Sequence, residues 1–385
     1  MNALKASPKV PTGKGFNVKK LSMGLSCFFS LVFLLMAMMM FNYGRYLQSF
    51  PILGISLIFV PAFRNFLRNK FKQKITWQVF ALTGFLLWGG MMATVLLFPA
   101  DSIYKNEDFR QELDDLYNDK LAEWPTDFES VYVNTKYGRI HVIVSGPEDG
   151  FPVLLCHASA FGAWSWKYNV GELNKKYRTY AVDNIGEGGK NRMLAPYYIP
   201  VNGLEIAELY TDITEKLGVK KSHVIGASIG GYIATCYALH APERVEKMVL
   251  LGAMGYGSIL LGTITMTLAQ GFPLNAIQKA TFRWAYGDDD ELERACGLWF
   301  RRYMKGLLPT PISPKSFVPD QLRSIRSATL AYFGTEDRMI GDKCAAKKLA
   351  ENIPIIDIKI VNAGHMMGIE IADEVNRNIM EFFIK

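Results

Sequence analysis

The chain changes its hydrophobic texture twice. Leu21 to Tyr43 and Trp77 to Phe98 run apolar without one charged side chain, and a shorter apolar run, Tyr46 to Phe63, lies between them, broken by Pro51 and Pro61. A helix needs about 20 apolar residues to cross a bilayer, so the two long runs predict spans. They are apolar all round rather than along one stripe, which separates them from amphipathic core helices. The first run is longer than the roughly 7–15 residues of a signal peptide and no small-x-small cleavage pattern follows, so an anchor is expected rather than a cleaved leader.

From about residue 129 the pattern becomes an alternation of strand and helix signals. β-rich runs fall at Ser130–Thr135, Ile140–Ser145, Val153–Cys156, Arg178–Asp183, His223–Ala227, Lys247–Leu251, Thr329–Phe333 and Ile355–Val361. Most are apolar throughout, as parallel strands buried on both faces are. Helical stretches such as Gly203–Leu217 and Gly230–His240 separate several of them, which predicts a doubly wound, mostly parallel α/β sheet. One interval breaks the rhythm: roughly 75 residues lie between Leu251 and Thr329, too many for a plain connection. Helix formers and large side chains fill it, including Phe282, Trp284, Trp299, Phe300 and Tyr303. It reads as a helical cap over about 254–326, with most of these aromatics packing it onto the sheet and a few lining a cavity. The expected organisation is a basic tail (1–20), a membrane region (21–98, with spans near 21–43, 46–63 and 77–98), a polar helix-prone linker (99–128) and an α/β domain (129–385).

Charge sharpens the membrane expectation. The net charge is +7, yet residues 1–75 hold eleven Lys and Arg and no acid; removing that +11 leaves residues 76–385 at −4. Residues 76–385 are thus mildly acidic, so no basic stripe argues for nucleic acid. Basic loops stay cytoplasmic, and both the Lys-bearing tail and Arg64 to Lys74 are basic without acids. Both on one side requires an even number of crossings between them, so the middle run is expected to cross or to dip in and return. A further crossing at 77–98 places the remainder outside the cytoplasm, in keeping with the eight acids of Asp101 to Glu123. The predicted location is therefore a multi-pass cell-membrane protein with the α/β domain extracytoplasmic. The five cysteines (27, 156, 236, 296, 344) show neither a C-x-x-C pair nor metal-ligand spacing, so they read as small hydrophobes, and no metal or cofactor is called for.

The chemistry gathers at Gly226-Ala-Ser228-Ile-Gly230, where a strand runs into a helix. Such a turn holds a serine in strain with its hydroxyl above the sheet, and the glycines permit strand and helix to approach. The helix N-terminus also presents free N–H groups to a developing negative charge. Serine needs a base. Of the five histidines, His141, His223 and His240 fall within or at the start of strands or at a helix end and read as structural. His365 follows the last strand directly, where a loop can carry it to the sheet's carboxyl edge. The orienting acid is expected at the end of the preceding strand, at Asp337, with Glu336 and Asp342 as nearby competitors.

From about 130 to 385 the chain resembles the α/β-hydrolase fold family in its capped, esterase-like branch. The resemblance is carried by Leu155-Cys-His157, Asp183-Asn-Ile-Gly186-Glu-Gly188, Gly226-Ala-Ser-Ile-Gly-Gly231, Pro242-Glu-Arg-Val245 and Ala363-Gly-His365, with Glu370 beyond, and by the order Ser…Asp…His. It implies an oxyanion hole from the backbone N–H groups of Ser159 and Ile229, with His157 organising the loop. The sequence departs from the family where Ala158 replaces a usual glycine. The triad residues and the resemblance together imply a serine hydrolase cleaving a carboxylic ester. The apolar cap and the expected membrane anchor tilt this towards an apolar or amphiphilic ester, with the lipid bilayer predicted by the apolar runs as the other partner. Peptidase, thioesterase and carbon–carbon bond hydrolase chemistry use the same triad and stay open, as does a catalytically silent scaffold that binds a ligand or partner.

Overall fold

In a computed structural model of the protein, the described residues are Leu34 and 103–385, apart from 194–198, 258–259, 272–273, 308–311 and 341–342. Apart from Leu34, the three apolar runs expected to span a membrane lie outside them. Among the described residues no helix is long and apolar enough to cross a membrane.

The first element, α1 (Glu107–Leu121), begins where the Asn106 side chain accepts the Phe109 N–H, with Glu107 and Asp108 in the first turn and Lys120 in the last, a charge order that suits the helix dipole. Leu113, Tyr117 and Leu121, at helical spacing, bury its inner face. The segment read as a polar linker thus supplies core residues.

Strands β1 (Phe128–Thr135) and β2 (Gly138–Ser145) form an antiparallel hairpin closed by Lys136 and Tyr137. Then follow β3 (Phe151–Cys156), α2 (Lys167–Leu173), β4 (Tyr177–Val182), β5 (Arg192–Met193), α3 (Gly203–Lys216), β6 (Ser222–Ala227), α4 (Ile229–His240) and β7 (Val245–Leu251). The cap comprises α5 (Leu260–Gly271), α6 (Asn275–Tyr286) and α7 (Asp290–Gly306), after which α8 (Pro319–Arg323) leads to β8 (Ala328–Gly334). The chain ends with α9 (Lys343–Asn352), β9 (Ile356–Val361), α10 (Met367–Glu370) and α11 (Ala372–Ile384).

The sheet runs β1-β2-β4-β3-β6-β7-β8-β9, with β5 pairing β2. Pairs from β4 to β9 are parallel, and β1, β2 and β4 pair antiparallel. All eight β-rich runs are strands. The two-residue β5 carries no periodicity and has no sequence signal. Central strands are buried nearly throughout, as in Val153 to Cys156 of β3, whereas edge strand β9 leaves Ile360 exposed. The strand order reverses at β3, which has β4 on one side and β6 on the other. Crevices form at the carboxyl ends of strands flanking such a reversal, so the loops after β3, β4 and β6 converge there.

Candidate active site

Ser228 links β6 to α4 with φ 53°, one of two described non-glycine residues in the left-handed region, the other being Ala160 at 62°. The conformation is costly for an L residue and persists because surroundings fix it. The Ser228 N–H donates to the Leu251 carbonyl at 2.9 Å, and its own carbonyl accepts from Gly231 and Met254 at 3.0 Å each. A Cβ on Gly226 would stand 2.2 Å from the Gly230 carbonyl oxygen and one on Gly230 2.0 Å from the Cys156 carbonyl oxygen, so α4 comes this close to β6 and β3 only because the two positions lack side chains.

The structure brings three of the predicted residues into contact. His365 Nε2 lies 2.9 Å from Ser228 Oγ, and His365 Nδ1 lies 2.8 Å from Asp337 Oδ2. All three are buried. The other carboxylate oxygen of Asp337 accepts the backbone N–H groups of Met339 (2.8 Å) and Ile340 (3.1 Å). An ionised carboxylate only accepts, so Nδ1 carries the proton and Nε2 is left to accept from the serine hydroxyl. Burial pushes the Asp337 carboxyl up, but the charge and hydrogen bond of His365, with the two backbone N–H groups, hold it below the ordinary carboxylate range. Of the competing acids, Glu336 is exposed and Asp342 lies outside the described residues.

Glu370 fixes the loop that carries the imidazole. Its carboxyl accepts the Gly364 N–H at 2.7 Å and the Met366 N–H at 2.8 Å, bracketing His365. Burial raises its pKa, against the pull of those two bonds.

Ser159 and Ile229, the expected oxyanion donors, both line a cavity of about 200 Å³ that opens on Ser228 and His365. Its walls are mostly apolar, with thioethers from Met254, Met266, Met304 and Met339. Behind the loop, His157 Nε2 accepts the Asn184 N–H at 2.8 Å, which leaves Nδ1 as donor to the Ala158 carbonyl, also at 2.8 Å. The left-handed residue is Ala160, two positions beyond Ala158.

Three further residues at this loop escaped sequence reasoning. Glu187 accepts from the Ser159 hydroxyl and the Ala160 N–H, Tyr303 donates to Glu187, and the Trp299 indole donates to the Ala160 carbonyl. Glu187 was visible as a carboxylate after a strand, and the two aromatics as cap residues four apart. Nothing local signalled that they meet.

The remaining histidines sit away from Ser228. His141 contacts Asp183 through Nδ1 and Ser130 through Nε2, at 2.9 Å each. His223 stacks on Phe383 at 4.0 Å, and His240 ends α4. Cys156, Cys236 and Cys296 are buried free thiols and Cys344 is exposed. Among the described residues no group of His, Cys, Asp and Glu is arranged to hold a metal.

A buried serine–imidazole–carboxylate chain at the switch point of a doubly wound sheet defines a hydrolase scaffold. The sequence model of the alpha/beta hydrolase fold matches residues 152–371, and the chain belongs to that family. It is 29% identical over 283 residues to an uncharacterized carboxylesterase, nap, of Bacillus subtilis, covering 69% of this chain and 90% of the relative. The crystal structure of carboxylesterase CesB (YbfK) from Bacillus subtilis superposes with a TM-score of 0.67 at 27% identity, over 72% of this chain and 99% of that one. A 2-hydroxy-6-oxononadienedioate/2-hydroxy-6-oxononatrienedioate hydrolase of Comamonas testosteroni is 26% identical over 268 residues, 63% of this chain and 91% of the relative. Family and relatives together make the protein a hydrolase of the esterase type.

Proposed function

We propose that the protein is a membrane-anchored serine hydrolase that cleaves a carboxylic ester through an acyl-enzyme on Ser228. The carrying observation is the unbroken chain of contacts from Ser228 Oγ through His365 to Asp337. Ser228 Oγ attacks the ester carbonyl while its proton passes to His365 Nε2, and Asp337 stabilises the imidazolium. The carbonyl oxygen becomes an oxyanion facing the Ser159 and Ile229 N–H groups. Collapse expels the alcohol, which takes the proton from His365. Water, deprotonated by the same imidazole, then attacks the acyl group, and the acid leaves as Ser228 regains its proton.

The apolar, methionine-rich cavity favours an ester with an apolar or amphiphilic body. A carbon–carbon bond hydrolase is the second reading, since such a relative matches. A dicarboxylate substrate of the kind that relative's name states calls for cationic recognition, and no Lys or Arg lines the described cavity. That favours the ester.

Membrane anchoring and an extracytoplasmic catalytic domain rest on the sequence alone: the apolar runs at 21–43, 46–63 and 77–98 and their basic flanks. The test is labelling of membranes with a fluorophosphonate serine probe, with the modified peptide mapped. Wild type should carry the adduct on Ser228 and Ser228→Ala should not; an unlabelled intact protein would overturn the mechanism. A panel of esters graded by acyl length then checks the substrate, a sharp preference for acetyl esters counting against an amphiphilic one. Protease shaving of intact cells without an outer barrier should release the catalytic domain if it faces outward.

A further inference from the structure

We propose that the cap is part of the oxyanion machinery, with Trp299 and Tyr303 of α7 and Glu187 after β4 acting as positioning residues for the Ser159–Ala160 backbone. The inference rests on the reading of Ser228 as nucleophile. A donor to an oxyanion works only if it is held where the charge will develop, before the charge arrives. The loop after β3 is poorly suited to hold itself there. It has Ala158 where the family commonly has glycine, and it turns through Ala160 at φ 62°. A left-handed alanine persists only where its surroundings over-determine it.

Those surroundings can be named. The Ala160 N–H donates to Glu187 Oε2 at 3.1 Å, and the Ala160 carbonyl accepts from Trp299 Nε1 at 3.0 Å. Both backbone polar groups of the strained residue are therefore tied, one to the sheet loop and one to the cap. The neighbouring Ser159 hydroxyl donates to Glu187 Oε1 at 2.8 Å, and the Tyr303 hydroxyl donates to Glu187 Oε2 at 2.6 Å. Glu187, Trp299 and Tyr303 are buried almost completely, and bonds to a carboxylate sheltered from water are strong and directional.

Trp299 and Tyr303 are one turn apart, so a single face of α7 sets both contacts. The indole is itself fixed edge-on against Trp164 (5.5 Å) and Tyr117 (6.0 Å). The Asp289 side chain caps α7 by accepting from the Glu291 and Leu292 N–H groups. Tyr303 also lines the cavity beside Ser159 and Ser228. Docking of α7 thus does two things at once: it closes the substrate cavity, and it fixes the backbone that must meet the oxyanion. The contacts among Ser228, His365 and Asp337 involve no residue of α7, so a displaced α7 would leave them made beside a hole that is no longer set.

The variants Trp299→Phe and Tyr303→Phe remove one donor each while keeping the aromatic ring, and Glu187→Gln removes the shared acceptor. In the full-length protein each should lower kcat on a soluble ester by about 10- to 100-fold with KM within about twofold, less than loss of a direct oxyanion donor would cause. A boronic acid places an oxygen of its tetrahedral adduct in the hole, so its affinity should fall by the same factor as kcat. Binding of the carboxylic acid product should not change. A merely structural role would weaken both ligands together or lower the melting temperature without splitting kcat from KM. If Glu187→Gln does not fold, the two aromatic variants still decide the matter. Wild-type kcat and boronate affinity in both Trp299→Phe and Tyr303→Phe would overturn the proposal and leave the nucleophile untouched. Loss of the nucleophile reading would show instead as an adduct absent from Ser228 in wild type.

Discussion

The Cys156 carbonyl oxygen occupies the space that a side chain at Gly230 would need: a Cβ there would stand 2.0 Å from it. Both partners are main chain, so neither can rotate away. Gly230→Ala must therefore push α4 off β3, and Ser228 sits at the start of that helix. Overpacking of this kind costs about 1–3 kcal/mol. Gly230→Ala should unfold at lower urea concentration and lose most of its fluorophosphonate labelling. An unchanged unfolding midpoint would contradict the close approach.

Glu370 offers a separable test of the imidazole loop. Its two oxygens each accept one backbone N–H, from Gly364 and Met366. Glutamine keeps one acceptor and turns an NH2 group towards the other N–H. A buried donor left unsatisfied costs about 1–3 kcal/mol. Glu370→Gln should lower stability by that order and lower kcat, since His365 lies between the two anchored residues. Equal stability and equal kcat for the two proteins, measured by denaturant titration and ester hydrolysis, would count against this role.

His223 gives the pH dependence. Burial, and then the nearby Lys247, push its pKa down from 6.5 to about 4, so the folded protein holds it neutral. As pH falls from 6.5 towards 4 the unfolded chain binds a proton that the folded chain refuses, and stability declines through that window. The stabilisation is fully present above 6.5 and its loss amounts to at most about 3 kcal/mol. The Asp337 carboxyl, held below its ordinary range, enters only at still lower pH. His223 Nδ1 has no hydrogen-bond partner and the ring stacks on Phe383, so His223→Phe should keep the packing. Denaturation of that variant at pH 4.5 and pH 7.5 should show a smaller stability difference than wild type; an identical slope would assign it to other groups.

What the sequence could reveal follows from the range of the signal. Strand runs such as Val153–Cys156 and His223–Ala227 are local, and burial on both faces makes them apolar enough to read directly. The turn at Ser228 carries its own glycines, and topology then restricts where a base and an acid can stand. His365 and Asp337 were legible because each directly follows a strand, although His365 and Ser228 are 137 residues apart. The Glu187–Tyr303 contact spans 116 residues and has no such guide. It depends on how far α7 lies over the loop after β3, which no periodicity encodes. The same holds for Tyr117, which donates to Asp183 at 3.0 Å from a segment that reads as a polar, helix-prone linker: the helix tendency is legible in sequence, but the surface it packs on is not.

Gly252 follows β7 with φ 53°, beside Asp337 and His365 rather than the helix that begins after Ser228. A Cβ at this position would stand 3.3 Å from both Asp337 Oδ2 and His365 Nδ1, the two atoms that share the 2.8 Å contact. Gly252→Ala therefore has two separate consequences. The left-handed backbone costs an alanine about 1–2 kcal/mol, which lowers the melting temperature but leaves a folded protein. The methyl group also crowds the imidazole–carboxylate contact, and small misplacements of a reacting group can cost up to about 10²-fold in rate. Gly252→Ala should thus lose about tenfold or more in kcat, with KM nearly unchanged because the cavity walls are untouched. Alanine at the exposed Gly218, also left-handed (φ 74°) but with open space around its Cβ, separates the two effects. Gly218→Ala should share the stability loss and keep wild-type kcat; an equal fall in kcat for both variants would show that crowding of His365 and Asp337 is not the cause.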